Sequence, residues 1–348
     1  MAMRAALIIE AAQKSGKETE RMDHPETHAE LHNLGNLYVS QGRYSEAEPL
    51  YRRALAMSEA EFGSEHPTTA DHVRALANFF KRQDRHSEAE PLFIRTLAMS
   101  EAEFGANNLI TGMRLADLAS LYASQGRESE AEPLYRRAVA IADAWGLQNF
   151  DTSAWLNNLA NIYAKQQRYS EAEPLLRRAV AIAETAFGAE HPDTGTQLSN
   201  LASVCERQGR HNEAEPLYRR ALAIAEAARG AEHPDTGALL YNIAEICAKQ
   251  GRNGEAEPLY RRALKISEAS LGAEHLTTGT RLNNLAIFYW HQGRHGEAEP
   301  LRQRALAIIE KRLGADHPTT KALREDIRRP TPGQQPAKRG LFERLFQS

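Results

Sequence analysis

The chain lacks most of what marks an enzyme, a membrane protein or a nucleic-acid binder. Of its 348 residues only 2 are cysteine and 3 are tryptophan. No phosphate-binding Gly-rich loop, no nucleophile elbow and no His-Glu-x-x-His pattern occurs, so catalysis is not expected, nor is a cofactor. No apolar run approaches the ~18 residues of a membrane span. Residues 5–9 are apolar, but the start has no signal-peptide layout, and a cytoplasmic location is expected. The formal net charge of −3 gives no case for nucleic acid, which usually needs a basic domain. What remains is ordinary soluble composition, with 42% hydrophobic and 26% charged residues.

What is present is a repeat. Glu-Ala-Glu-Pro begins at Glu46, Glu88, Glu130, Glu171, Glu213, Glu255 and Glu297, in steps of 42, 42, 41, 42, 42 and 42 residues. One fixed period of this length marks stacked supersecondary units rather than separate globular domains. Cys205 and Cys247 occupy one repeat position, where other copies carry Tyr38, Phe80, Tyr122, Tyr163 and Tyr289. Equivalent helices of neighbouring repeats lie roughly 10 Å apart, beyond the ~7 Å a disulfide tolerates. Both thiols are therefore read as small buried apolar groups.

Each repeat reads as two helices. In the first, Leu156, Leu159, Ala160 and Tyr163 follow the i, i+3, i+4, i+7 pattern of one face. Gln41-Gly42-Arg43 makes a polar turn, with Gly suited to a left-handed cap. The second helix is expected to open at Ser45, as a capping box with Glu48 returning to the Ser45 backbone. Pro49 is expected in its first turn. Leu50, Tyr51, Ala54 and Leu55 form the buried stripe, and Glu48 with Arg52 reads as a solvated i, i+4 pair. Gly63 stops the second helix, and His66-Pro67-Thr68-Thr69 starts the next unit, with Pro at the first helical position. The third repeat departs: its second helix is one residue short, and a local irregularity, a weak point for bending, is expected there.

The expected organisation is a half-repeat or capping helix over residues 1–23, seven repeats over 24–314, a capping helix over 315–329, and a linker and tail over 330–348. The half-repeat, centred on residues 4–14, is either a cap or a truncated start. The last first-type helix is expected over 318–328, polar as a terminal cap should be.

Leu31-x-x-Leu34-Gly35-x-x-Tyr38 followed by Gly42-x-Tyr44-x-x-Ala47-x-x-x-Tyr51-x-x-Ala54 resembles the tetratricopeptide repeat. The 42-residue period, the Leu-Asn-Asn-Leu-Ala helix and the Gly-x-x-His-Pro-x-Thr loop are similar to the kinesin-light-chain type. The resemblance covers residues 24–328 and implies an all-α, right-handed superhelical solenoid of antiparallel helix pairs. It also implies a concave groove, lined by the first helices, that binds extended or short helical peptides.

Asn33, Asn158, Asn200, Asn242 and Asn284 share one position of the first helix, with Ala75 and Asp117 in the other two copies. Asn is a poor helix-interior residue, which suggests a task for it. The resemblance points it into the groove; the alternative is a bridge between neighbouring helices. Asn161 belongs to a second row, with Asn36, Asn78, Ser120 and Ser203. Seven residues beyond the first row stand Arg82, Lys165, Arg207, Lys249 and His291. A row of cations favours an acidic peptide; equally, cations complement a helix C-terminus. The loop histidines His24, His66, His191, His233, His275 and His317 lie too far apart to share an ion and are read as helix caps. In the tail, Leu341, Phe342, Leu345 and Phe346 fall on one helical face beside Lys338, Arg339 and Arg344. That segment is a candidate tether to an anionic membrane surface, an insert for a partner or another copy's groove, or a disordered end. Two functions follow: a non-catalytic scaffold whose groove binds a partner peptide, of acidic character if the cation row faces it, or an assembly or tethering protein acting through the tail. The sequence leaves the oligomeric state open.

Overall fold

The computed structural model describes residues 27–328. The half-repeat over 4–14, His24 and the tail with Leu341, Phe342, Leu345 and Phe346 lie outside the described residues. Among the described residues fifteen helices follow one another and no strand occurs. The chain divides into two compact units, Met1–Leu147 and Gln148–Ser348. The first contains α1 (His28–Ser40), α2 (Tyr44–Phe62), α3 (Pro67–Arg82), α4 (His86–Phe104), α5 (Leu109–Ser124) and α6 (Glu128–Ala144). The second contains α7 (Phe150–Lys165), α8 (Tyr169–Phe187), α9 (Pro192–Arg207), α10 (His211–Arg229), α11 (Pro234–Lys249), α12 (Asn253–Ser270), α13 (Leu276–His291), α14 (His295–Leu313) and α15 (Pro318–Arg328). Within each unit every helix packs on the next, and tight turns make the pairs antiparallel. The architecture is an all-α solenoid.

Local chemistry sets each boundary. The odd helices start on a side-chain cap. Thr27 and Glu30 form a reciprocal capping box at α1. At α3, α9, α11, α13 and α15 the loop histidine takes that role: Nδ1 of His66, His191, His233, His275 and His317 accepts a backbone N–H two residues on, at 3.2 Å. The threonine of the same loop closes it from inside. Thr69, Thr111, Thr194, Thr236 and Thr278 donate to the carbonyl of the glycine six residues earlier, at 2.8–2.9 Å.

The even helices start differently from expectation. α2 begins at Tyr44 with Arg43 at the cap position and no side-chain cap. Ser45 is already helical, so the Ser45–Glu48 capping box does not form. Pro49 is the sixth residue of the helix rather than part of its first turn, and its missing N–H removes one i to i−4 bond. Glu48 turns to the next repeat instead: Arg85 Nη1 donates to it at 2.5 Å and Arg52 Nη2 at 2.9 Å. The same contact links Arg127 to Glu90 at 2.7 Å, and Arg210 to Glu173 and Arg294 to Glu257 at 2.5 Å; Arg252 pairs with Glu215. Each arginine also holds a glutamate of its own helix, as Arg85 holds Glu88 at 2.6 Å. Where the preceding helix ends on an aromatic, the guanidinium lies over it, 4.4 Å from the Phe80 centroid for Arg85 and 4.2 Å from Tyr289 for Arg294; Cys205 and Cys247 hold that position before Arg210 and Arg252. The Glu48–Arg52 pair is thus one edge of a network that crosses repeats, not an isolated solvated pair.

Between the helices, alanines allow close approach and one aromatic fills the gap. Ala47 and Ala54 are fully buried around Tyr51, and Tyr135 and Tyr218 are 1% exposed. Burying one such side chain stabilises by about 1.5–3 kcal/mol. In the third repeat α6 has 17 residues where α2 and α4 have 19. It ends at Ala144, Gly146 follows at φ 64 with Leu147 N–H returning to Ala142 O at 2.8 Å, and the division between the units falls just beyond. The terminal helix expected over 318–328 is α15, anchored by buried Leu323, Thr319 and Thr320.

Two outcomes follow from this packing. At Gly237 a Cβ would stand 2.9 Å from Arg281 Nη1 and 3.0 Å from Ile266 Cγ2, while Arg281 donates to the Gly237 carbonyl at 2.6 Å. Gly237→Ala is expected to cost about 1–3 kcal/mol, read as a lower denaturation midpoint; an unchanged midpoint would contradict this packing. Arg294 draws the Glu257 carboxyl down to about 2. With its folded value below the ordinary 4.5, Glu257 contributes stability that is present above that pH and lost as pH falls towards 2. In Arg294→Gln the carboxyl should titrate back towards 4.5, as measured by carboxyl NMR.

Candidate peptide-binding clefts

Each unit has a cleft built on its odd helices. In the first unit a cavity of about 410 Å³ lies between α1 and α3, over Tyr51 of α2. Arg74 and Arg82 line it, together with Asn36, Asn78, His32 and Asp71. The Asn36 Oδ1 accepts from Tyr51 O–H at 2.7 Å, so the core aromatic orients a cleft amide. Arg74 Nε is buried and accepted by no protein atom. Asn33 is exposed on α1 and does not line this cavity. Asp117, the third-repeat counterpart of Asn33, is half-buried on α5 beside Arg114 at 3.5 Å, and desolvation pushes its carboxyl above the usual range.

In the second unit a cavity of about 340 Å³ lies between α9, α10 and α11. Asn200 and Asn242 both line it, over an apolar floor of Ala221, Ile224, Ala238 and Leu239. Arg229 and Asp235 pair at its edge. Asn200 donates to Asn157 Oδ1 at 2.7 Å, and Asn284 donates to Tyr241 O–H at 2.7 Å. Both amides therefore bridge neighbouring repeats. Asn158 is half-buried on α7, and Asn161 and Lys165 are exposed on the same helix. Arg207 is exposed at the end of α9. Lys249 is paired with Glu206 of the preceding repeat at 2.6 Å, which neutralises part of the cation row. Glu245, 7% exposed, accepts from Tyr260 O–H at 2.5 Å, so the row that carries Asn161 turns acidic and buried in this repeat.

A tetratricopeptide repeat model matches residues 70–144, 151–227, 195–269 and 235–287, and a second one matches residues 31–68 and 278–319. The chain belongs to the tetratricopeptide repeat family. No curated protein matches it in sequence. Among solved structures, nearly identical TPR-like repeats assigned to a kinesin light chain of Podosopora anserina are 26% identical, with a TM-score of 0.50, over 57% of this chain and 95% of that one. BtubC (BKLC) from P. vanneervenii is 22% identical with a TM-score of 0.56, over 66% of this chain and 91% of that one. A tetratricopeptide repeat protein from Parabacteroides merdae is 17% identical with a TM-score of 0.56, over 86% and 97%. The last two share the fold alone. Period, loop motif and the Podosopora anserina repeats make this TPR protein one of the kinesin-light-chain-like type. TPR arrays generally serve as scaffolds for protein partners. No helix among the described residues is long and apolar enough to cross a membrane.

Among the described residues of this TPR array one group has the composition of a metal site, namely Glu173, Cys205 and Glu213. Its chemistry does not fit a divalent ion. Arg210 and Arg177 already hold Glu173 at 2.5 and 2.7 Å, Arg177 reaches Glu213 at 3.3 Å, and Arg210 donates to Cys205 Sγ at 3.4 Å. Burial pushes the Cys205 and Cys247 thiols up, away from the thiolate a metal needs. Both side chains are fully buried, as read from their place in the repeat. They should resist iodoacetamide in the native protein and react once it is denatured, as read by mass spectrometry; stoichiometric native labelling would contradict this burial.

Proposed function

We propose that this TPR protein is a non-catalytic scaffold that binds a peptide segment of a partner protein along the odd helices of its repeats. The observation that carries the reading is that Asn200 and Asn242, one repeat apart in sequence, line a single cleft over an apolar floor. Two amides spaced one repeat apart suit the carbonyl and N–H groups of an extended chain, and the floor suits an apolar side chain between them. The row position of Asn33, Asn158 and Asn284 extends the same reading to the other repeats, with Asn161 beside it. Arg82 beside Arg74 in the first unit, with Lys165 and Arg207 in the second, supports acidic residues in the bound segment. The Lys249–Glu206 pair limits that preference near the end of α11. The tethering alternative rests on Leu341, Phe342, Leu345 and Phe346.

A random peptide display library sorted against the full chain supplies the probe. Asn200→Ala with Asn242→Ala removes two hydrogen-bonding amides and should weaken the enriched peptides by about 1–3 kcal/mol, roughly 5- to 150-fold in Kd. A chain lacking residues 330–348 should retain them. Unchanged affinity in the doubly substituted chain, with its fold intact, would sink the groove reading, and peptide binding lost with the tail would favour the alternative.

A further inference from the structure

Three histidines of the first unit meet where α1 packs on α3. His28 and His32 stand one turn apart on α1, and His72 comes from α3. His28 Nδ1 lies 2.9 Å from His72 Nε2, and His32 Nδ1 lies 3.2 Å from His72 Nδ1. The rings meet edge-on, with centroids 5.0 and 5.1 Å apart, and His72 is 6% exposed. Both nitrogens of the buried ring therefore face another ring nitrogen. The trio does not gather on one metal ion, because His72 meets His28 with one nitrogen and His32 with the other.

Proton counting limits this arrangement. Each nitrogen–nitrogen contact holds one proton, with one side donating and the other accepting. Three neutral rings carry three N–H groups, which fill both contacts and one outward nitrogen. A fourth proton fits on the remaining outward nitrogen, for instance His28 Nε2, which lies 3.9 Å from Glu61 Oε2. A fifth sets N–H against N–H in one contact. We infer that the trio is an acid-sensitive latch, which ties α1 to α3 while nearly neutral and releases α1 when a second proton enters. Release removes the wall of the 410 Å³ cleft that His32, Asn36 and Val39 form.

The surroundings favour the neutral rings. On α2, Tyr51 and Phe62 stand edge-on to His32 and His28, and Glu61 lies 3.9 Å from His28. On α3, Asp71 favours charged rings and Arg74 opposes them at His32. From α5, Arg114 lies 3.9 Å from Asp71 and offsets it. Burial draws His72 down to about 4, the other two rings push the same way, and burial also lowers His32. With α1 released, His32 and His72 take up protons near the ordinary 6.5. Groups depressed in the folded state favour release as pH falls, so the latch is complete above that value and weakens from there towards about 4.

Hydrogen exchange on the full chain, expressed as protection factors, reads this without reference to peptide binding. Protection of α1 amides should fall roughly tenfold per pH unit for each proton taken up below about pH 6.5, while α9 in the second unit stays level. His72→Phe should abolish the slope. His32→Phe, at a less buried ring, should make it shallower and serves if the first variant does not fold. A wild-type profile as level as that of α9 overturns the latch, as does a slope of wild-type steepness in either folded variant.

Discussion

The arginine that follows each turn is the interaction on which the repeats depend. Arg85 shows the pattern: it lies over Phe80, holds Glu88 of its own helix and reaches back to Glu48 of the preceding repeat. An exposed ion pair is worth about 0–1 kcal/mol. A guanidinium stacked on a ring and shared by two carboxylates is more constrained, because the ring has already ordered the side chain before either carboxylate binds it. The pairing with two carboxylates recurs at the repeat junctions within each unit, with Cys205 and Cys247 replacing the ring before Arg210 and Arg252, so small terms add along the array, as nearest-neighbour stacking requires. In the last full repeat Glu299 accepts from Gln303 at 2.6 Å, and the position one period after Arg294 is Pro336.

This constraint also explains where variation is tolerated. The even helices all keep Glu-Ala-Glu-Pro, and five of the seven keep the core aromatic, with Leu176 and Arg302 in its place in α8 and α14. The odd helices carry the clefts, and there the side chains change from repeat to repeat. The row that holds Asn200 and Asn242 holds Ala75 and Asp117 in the first unit. The position occupied by the buried His72 holds Arg114, Trp155, Gln197, Leu239 and Arg281 elsewhere. Such a position separates repeats of common fold by their polar contacts: Arg281 bonds backbone carbonyls of the preceding repeat, whereas His72 bonds two other histidines.

Sequence reasoning succeeded where the signal was local or periodic. His66 and Gly63 sit where the loop motif placed them because a cap and a left-handed residue act within a few bonds. It failed at Ser45, where a sound local motif met a competitor from another repeat. The chain is already helical at Tyr44, so Ser45 cannot cap, and Glu48 finds a guanidinium 37 residues away in sequence. The histidine trio left no periodic trace, because no other pair of neighbouring repeats carries it.

The sequence by itself determined the helix pairs, their period, the buried thiols and the family, since each follows from residue spacing repeated seven times. Only the tertiary structure decided which charges meet across repeats, that Asn200 and Asn242 share a cleft while Asn33 stands exposed, and that Lys249 is neutralised by Glu206. Stacking sets distances between residues some 40 positions apart, and those distances depend on how the intervening side chains fill the space, which no local pattern encodes.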